Sequence, residues 1–345
     1  MMELRQIGPE LLGVLRRTLA EPGLLEIGPE ELRRAMSELP PEELKKLLGW
    51  HHCLQPSPEY DRFLASMGRM FEGRAYRRSV LLKCAQARRV AFGDGLNLIF
   101  MADHPTAESF LSRFLPGTKL HEPELVAYLK RTVRRGDMIV DLGAHVGYVS
   151  CIAAALGAAV LAVEMQPTLI PIIQRNAELN DLWRVHTLCA AVGDRTGLVP
   201  SLRNSPSPGS RAALGQWERG KFPLTSVNHD LIPLLTLDSL FAGGPYPTLV
   251  KVDVEGAEAR VLAGAAQTIA AAQTRFMVEV HAHQLKLFGD NLAGIASRFP
   301  AESWTLAMLT AQGVEPLSRD RFLDPEGPVA RHAHNAAVLF EPVTR

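Results

Sequence analysis

The chain has 345 residues, 47% of them hydrophobic, enough for one large core and a smaller appendage. Its 37 basic and 37 acidic residues cancel, which excludes a broad electrostatic pull toward nucleic acid or an anionic membrane; the local run of Arg131, Arg134 and Arg135 reads as a solvated helix end. The cysteines Cys53, Cys84, Cys151 and Cys189 form no Cys-x-x-Cys pair, and charges near Met1 interrupt the apolar run that a signal peptide needs, so reduced thiols and a cytoplasmic location are expected.

Residues 1–88 read as helices over 9–20, 29–39, 41–50 and 58–85, each opened by proline with glutamate, which suit the first helical turn and its dipole. Apolar positions at helical spacing, among them Leu11, Leu15, Leu19, Leu32 and Met36, predict a small bundle as a separate helical domain; a homodimer or carrier-protein contact through these helices is the alternative use. From residue 89 onward a second domain is expected. It begins with extended runs broken at Gly93-Asp-Gly95, a hairpin signal, followed by a helix opened by Glu122-Pro-Glu124.

An alternation then sets in: strand 138–142, helix 146–157, strand 159–164, helix 167–180 and strand 185–192, a βαβαβ half. The uncharged stretch 146–163 mimics a membrane span, but Gly157 and a β-branched second half predict a buried helix followed by a buried strand. Residues 201–222, polar and proline-rich, predict a surface loop, either a binding loop or a tolerated insertion. Beyond it come an extended run over 232–237, strand 248–253, helix 257–272, strand 275–281, helix 282–298 and strands 304–309 and 335–341. The last two lack a crossover helix and are expected to pair antiparallel, giving a Rossmann-like, mostly parallel sheet of seven strands.

The loop Asp141-Leu-Gly-Ala-His-Val-Gly-Tyr148 joins the first of these strands to its helix. Gly143 and Gly147, with Ala144 between them, allow close approach to the main chain, and Asp141 leaves a carboxylate at the strand end. His145 stands where a dinucleotide loop has its second glycine, and Asp141 would repel a phosphate. A cationic cofactor fits better. S-adenosylmethionine, a sulfonium with an amino acid tail, meets that requirement, with Glu164 at the end of the next strand placed for its ribose hydroxyls.

Strand ends also collect Asp253, Glu255 and His281. A period of two puts Lys251, Asp253 and Glu255 on one face, and Gly256 permits the turn that follows. If the final strand lies beside strand 275–281, the pairs His281-Ala-His283 and His332-Ala-His334 converge; they read as polar pocket walls, with a divalent metal held together with Glu279 or Asp253 as the sharper alternative, and no metal ligand set is assigned.

Six motifs together resemble the FkbM-type S-adenosylmethionine-dependent methyltransferases: the glycine loop, Glu164-Met-Gln-Pro167, Asn176-x-x-x-Asn180, Ala191-Val-Gly-Asp194, Thr236-Leu-Asp-Ser-Leu240 and Val250-Lys-Val-Asp-Val-Glu-Gly-Ala-Glu258. The resemblance runs from about Leu96 to the carboxyl end. It implies a methyltransferase fold, contacts of Asp141, Gly143 and Gly147 with the methionine moiety, of Glu164 with the ribose and of Asp194 or its neighbours with the adenine, a further cofactor contact at Ala144, and a place for Asp253 near the methyl donor. His145 and Met165 depart from the residues usual in the family. The expected activity is O-methylation of a sugar or secondary metabolite, with Asp253 or His281 as proton acceptor and Glu255 beside them. The partner is thus a small-molecule or glycan acceptor. A non-catalytic S-adenosylmethionine-binding protein with a partner on its helical domain is the runner-up, and a nicotinamide oxidoreductase, lacking Gly-x-Gly-x-x-Gly, the third.

Overall fold

Gly93, Asp94 and Gly95 all take positive φ, and this turn folds β1 (Ala87–Gly93) back on β2 (Leu96–Met101) as an antiparallel hairpin. The computed structural model describes residues 87–102, 104–112, 120–202, 229–332 and 335–343. The chain divides into two units, residues 1–86 with 178–182 and residues 87–177 with 183–345. The helices expected up to residue 85, the loop expected over 201–222 from residue 203 onward, and His334 lie outside the described residues.

A helix over Pro105–Leu111, which the sequence reading did not anticipate, is capped by His104, whose Nδ1 accepts from the Thr106 amide. The helix Pro123–Thr132 starts at its proline, as expected. Then come β3 (Met138–Leu142), the helix Tyr148–Ala155 and β4 (Ala159–Glu164), so the uncharged stretch is indeed a buried helix followed by a strand. Among the described residues no helix is long and apolar enough to cross a membrane. Helix Ile170–Leu179 leads to β5 (Val185–Cys189).

Here the expected single strand 185–192 is corrected. It breaks at Ala190, and β6 (Ala191–Val192) leaves the main sheet to join β7 (Gly197–Leu202) and β8 (His229–Leu235) in a small sheet of order β6-β8-β7. The chain returns through β9 (Leu249–Val252), β10 (Arg275–Val280), β11 (Trp304–Thr310), β12 (Gly313–Pro316) and β13 (Ala336–Pro342).

The main sheet has the order β12-β11-β13-β10-β9-β3-β4-β5, eight strands rather than the expected seven, because β12 folds back on β11 through a turn at Gly313. It is parallel from β5 to β10, and β13 runs antiparallel to both β10 and β11, as the missing crossover predicts. Its central strands are apolar on both faces, with Val140, Val250, Val252, Phe276 and Val278 in one core cluster. Phe299 stacks on Phe340 with centroids 4.1 Å apart, and Phe276 and Trp304 meet Phe299 edge-on.

Two expected helices are shorter than the sequence implies. The first, 257–272, splits into Glu258–Ala263 and Ala266–Ala270 around Gly264. A Cβ there would lie 2.0 Å from the Gly193 carbonyl oxygen, so this close approach requires glycine and interrupts the helix. The second, 282–298, breaks at Gly289 in the left-handed region, and Asn291 caps a new helix, Leu292–Ala296.

Candidate functional site

The strand order reverses at β3: the chain proceeds outward through β4 and β5, then returns on the other side with β9 and β10. Ligands of open α/β sheets bind at such a point, beyond the carboxyl ends of the strands. The two sides touch there. Gly143 adopts φ 81°, and a Cβ on it would fall 1.9 Å from the Asp253 carbonyl oxygen, while the Asp253 amide donates to the Leu142 carbonyl at 3.0 Å. Only glycine fits this contact.

Register explains which side chains meet. Asp141 lies opposite Lys251, and Lys251 opposite Met277, so one residue pair further on Gly143, Asp253 and Glu279 stand level on neighbouring strands. His281 follows immediately after β10. The expected face of Lys251, Asp253 and Glu255 is corrected at its third member. β9 ends at Val252, and Glu255 turns into the left-handed region at φ 57°, so strand alternation does not extend to it.

On the glycine-loop side the carboxylates are bound to their own chain. Asp141 is fully buried; its Oδ2 accepts from the Ser150 hydroxyl at 2.6 Å, and its Oδ1, without a hydrogen bond, lies 3.7 Å from the Lys251 ammonium. Burial raises its pKa, against the pull of Lys251 and Ser150. Glu164, 4% exposed, accepts from the His145 amide through Oε2 and from the Gln166 amide through Oε1, each at 2.8 Å. Both oxygens therefore fix the loop, and each keeps a lone pair. Gly143 and Ala144 donate their amides to the Val163 carbonyl, and Gly147, at φ 78°, precedes the helix Tyr148–Ala155. Asn176, also fully buried, ties the loop to β2: its side chain accepts from the Met101 amide and donates to the Val146 carbonyl.

An aromatic wall stands beside the loop, and the sequence reading missed it. Phe110 meets His145 at 5.4 Å, Tyr148 at 5.4 Å and His121 at 5.1 Å, and the Tyr148 hydroxyl donates to the His121 carbonyl. These residues come from separate elements, so no local motif announces them. Asp194 follows the short β6 and pairs with the neighbouring Arg195 at 2.9 Å.

On the other side acids and bases face one another. Lys251 donates to Asp253 Oδ2 at 2.9 Å, and the opposite oxygen, Oδ1, lies 3.8 Å from His281 Nε2. His281 is 3% exposed, and its Nδ1 lies 2.7 Å from Oε1 of the fully buried Glu258 and 3.0 Å from the Glu279 carbonyl. The Asn335 amide donates to Glu279 Oε1 at 2.9 Å. Burial opposes the charge of Lys251, but Asp253 and Asp141 outweigh it and raise its pKa. Burial likewise works against ionised Asp253, yet Lys251 and His281 hold its pKa below the usual carboxylate range.

Glu279 moves the other way: burial, then the charges of Asp253 and Glu122, push it up to about 8. Burial would depress His281, but its bond to Glu258 and the neighbouring carboxylates push it up to about 9. Near neutral pH the group thus holds a protonated imidazole and a protonated Glu279 around an ionised Asp253, and the three titrate as a unit.

Of the expected site residues, the structure brings Asp253 and His281 together and sets Gly143 against Asp253. Glu279 and Glu258 are members that the sequence reading did not assign as site residues: each is a single acid whose direction depends on strand register or on the turn at Gly256, whose amide donates to Glu258. The pairing of β10 with β13 occurs, and His283 is exposed on the helix Ala282–Leu285, while His334 lies outside the described residues. Among the described residues, oxygens of Asp253 and Glu279 and a nitrogen of His281 gather. A separate 750 Å3 groove, lined by Leu262, Ile269, Trp304 and Pro342, lies at the opposite ends of the strands.

The chain matches the methyltransferase FkbM domain family over residues 141–299, a span that includes the glycine loop, Glu164, Asp253, Glu279 and His281. Among solved structures it is similar to the methyltransferase FkbM from Methylobacillus flagellatus KT, with 15% identity, 68% of this chain and 58% of that chain covered, and a TM-score of 0.38. This chain thus spans 58% of that relative's length. It is also similar to a TehB-like SAM-dependent methyltransferase from Corynebacterium glutamicum (13% identity, 69% and 96% covered, TM-score 0.38) and to precorrin-6y C5,15-methyltransferase from Geobacter metallireducens (12%, 70% and 95%, TM-score 0.36). No curated protein sequence matches the chain. Over residues 141–299, then, the chain is similar to the methyltransferase domains of the FkbM type.

Proposed function

We propose that the protein transfers a methyl group from S-adenosylmethionine to a hydroxyl of a small-molecule or glycan acceptor. The observation that carries this reading is the abutment of Gly143 on Asp253, which sets a glycine loop suited to a cofactor against a cluster able to manage a proton. The residues fit a cationic cofactor. Asp141 Oδ1 is a buried oxygen without a hydrogen bond, and Glu164 keeps acceptor capacity after its two backbone bonds. When bound, S-adenosylmethionine supplies an electrophilic methyl on a sulfonium.

The protein's own share is alignment and proton management. Gly143 holds the loop against β9, which fixes the spacing between donor and acceptor sites, and such positioning supplies much of the barrier reduction in a displacement. Glu258 holds the imidazole of His281, whose charge helps that of Lys251 keep Asp253 ionised. The acceptor's proton passes to this coupled group. Glu279, whose pKa of about 8 lies close to working pH, is the member best matched to receive it in its ionised form.

Incubation of the full chain with methyl-labelled S-adenosylmethionine and a panel of hydroxylated glycans and small metabolites, followed by mass analysis, tests the reading. Labelled ether products support it; labelling only at nitrogen or carbon would overturn the O-methyl assignment.

A further inference from the structure

We propose that Asp253, Glu279 and His281 bind a divalent transition-metal ion, each through one atom: a carboxylate oxygen from each acid and Nε2 of the imidazole. One candidate ligand atom of each residue lies within 4.8 Å of the other two, so the side chains would draw slightly inward around a single ion. Their positions are fixed by adjacent strands, because Asp253 ends β9 and Glu279 stands level with it on β10.

His281 carries the argument furthest. Its side chain is 3% exposed, and its Nδ1 is occupied by Glu258 and the Glu279 carbonyl. That leaves Nε2, which faces Asp253 Oδ1 at 3.8 Å, beyond hydrogen-bond range; among the described residues nothing bonds to it. A histidine that ligates a metal through one nitrogen almost always gives the other to a carboxylate or carbonyl, and both are present here.

The acids show the same division of labour. Asp253 turns Oδ2 to Lys251 and Oδ1 to His281, while Glu279 receives Asn335 on Oε1 and shares a hydrogen bond with Asp253. His281 and Asp253 thus each have one anchored atom and one turned toward the cluster. With its side chain 24% exposed, Asp253 leaves a path for an ion and for a further oxygen from solvent or acceptor. One imidazole with two carboxylates suits a first-row ion such as Mn2+ or Zn2+; Mg2+ and Ca2+ prefer ligand sets made of oxygen alone. The ion would take the place of the protons on Glu279 and His281. Its consequence, an acceptor hydroxyl that gives up its proton more easily, rests on the methyl-transfer reading; its binding does not.

Calorimetric titration of the full chain with MnCl2 tests the site. One Mn2+ per chain is expected, with affinity falling more than about tenfold in both Glu279→Gln and Asp253→Asn, and unchanged in Glu302→Gln, an exposed acid outside the cluster. Absence of saturable binding of both Mn2+ and Zn2+, or binding that the two cluster variants leave intact, would overturn the proposal. If either variant does not fold, Mn2+ broadening of the His281 imidazole resonance in the unaltered chain decides: selective broadening supports the site, and its absence refutes it. S-adenosylhomocysteine is titrated on the same samples. Binding of it without Mn2+ sinks only the cation site, and Mn2+ binding without it sinks only the methyl-transfer reading.

Discussion

The carboxylates at the ends of β3 and β4 and those at the ends of β9 and β10 share one sheet edge but live under opposite conditions. Asp141 and Glu164 are buried and bonded to a hydroxyl and to backbone amides of their own chain, so their charge goes into holding a loop in place. Asp253 and Glu279 face each other and a histidine, and only Lys251, a proton on Glu279 and a second on His281 reconcile them. The comparison teaches that the first region is scaffold and the second is poised. A buried carboxylate bonded to its own chain resists change, whereas a coupled cluster answers to any new charge or proton that enters it.

The strongest way to break that contrast is to remove the poised charge. Asp253→Asn should lower turnover roughly a hundredfold, about 2.7 kcal/mol at the barrier, while leaving S-adenosylmethionine affinity within a few-fold. Initial rates with an identified acceptor, beside calorimetric titration of the cofactor, separate the two effects. On the scaffold side the damage should appear as stability. Gly143→Ala puts a methyl group into the Asp253 carbonyl and forces an alanine to φ 81°, so thermal unfolding should show a loss of about 3 kcal/mol.

Glu164→Ala leaves the amides of His145 and Gln166 without their acceptor, and should cost about 1.5 to 3 kcal/mol in cofactor affinity as the loop loosens. Unchanged affinity in a folded variant would contradict its place at the cofactor.

Two smaller effects sharpen the account of the poised side. In the metal-free chain the Glu279 carboxyl must be ionised to accept a proton and its pKa is about 8, so turnover should rise as pH passes through that value; Glu279→Gln should flatten this limb. Replacing Glu258 with glutamine removes the charge that most raises His281, and its imidazole, followed by NMR, should titrate below about 9 and closer to the ordinary 6.5.

The scaffold was the more legible half, for a physical reason. A glycine loop between a strand and a helix is local: Gly143 and Gly147 are close in sequence, and their conformational freedom follows from residue type alone. The Asp253 region was visible as charge at the end of an apolar strand. Glu279, by contrast, lies within Phe276-Met-Val-Glu-Val280 and reads as one polar position; it becomes a neighbour of Asp253 only when β10 pairs with β9 in a particular register. Glu255 erred in the opposite direction, because its left-handed backbone ends the alternation that the sequence seemed to continue. The break between β5 and β6 and the split around Gly264 also follow from contacts distant in sequence, the first through pairing with β8 and the second through the Gly193 carbonyl.

A crystal structure of the full chain with S-adenosylhomocysteine tests the central claim most directly, that donor and proton-handling group meet where β3 adjoins β9. The account predicts the homocysteine moiety along the loop from Gly143 to Gly147 and its sulfur turned toward Asp253 and His281. A ligand seated elsewhere on the sheet, or one whose sulfur points away from that cluster, would contradict it.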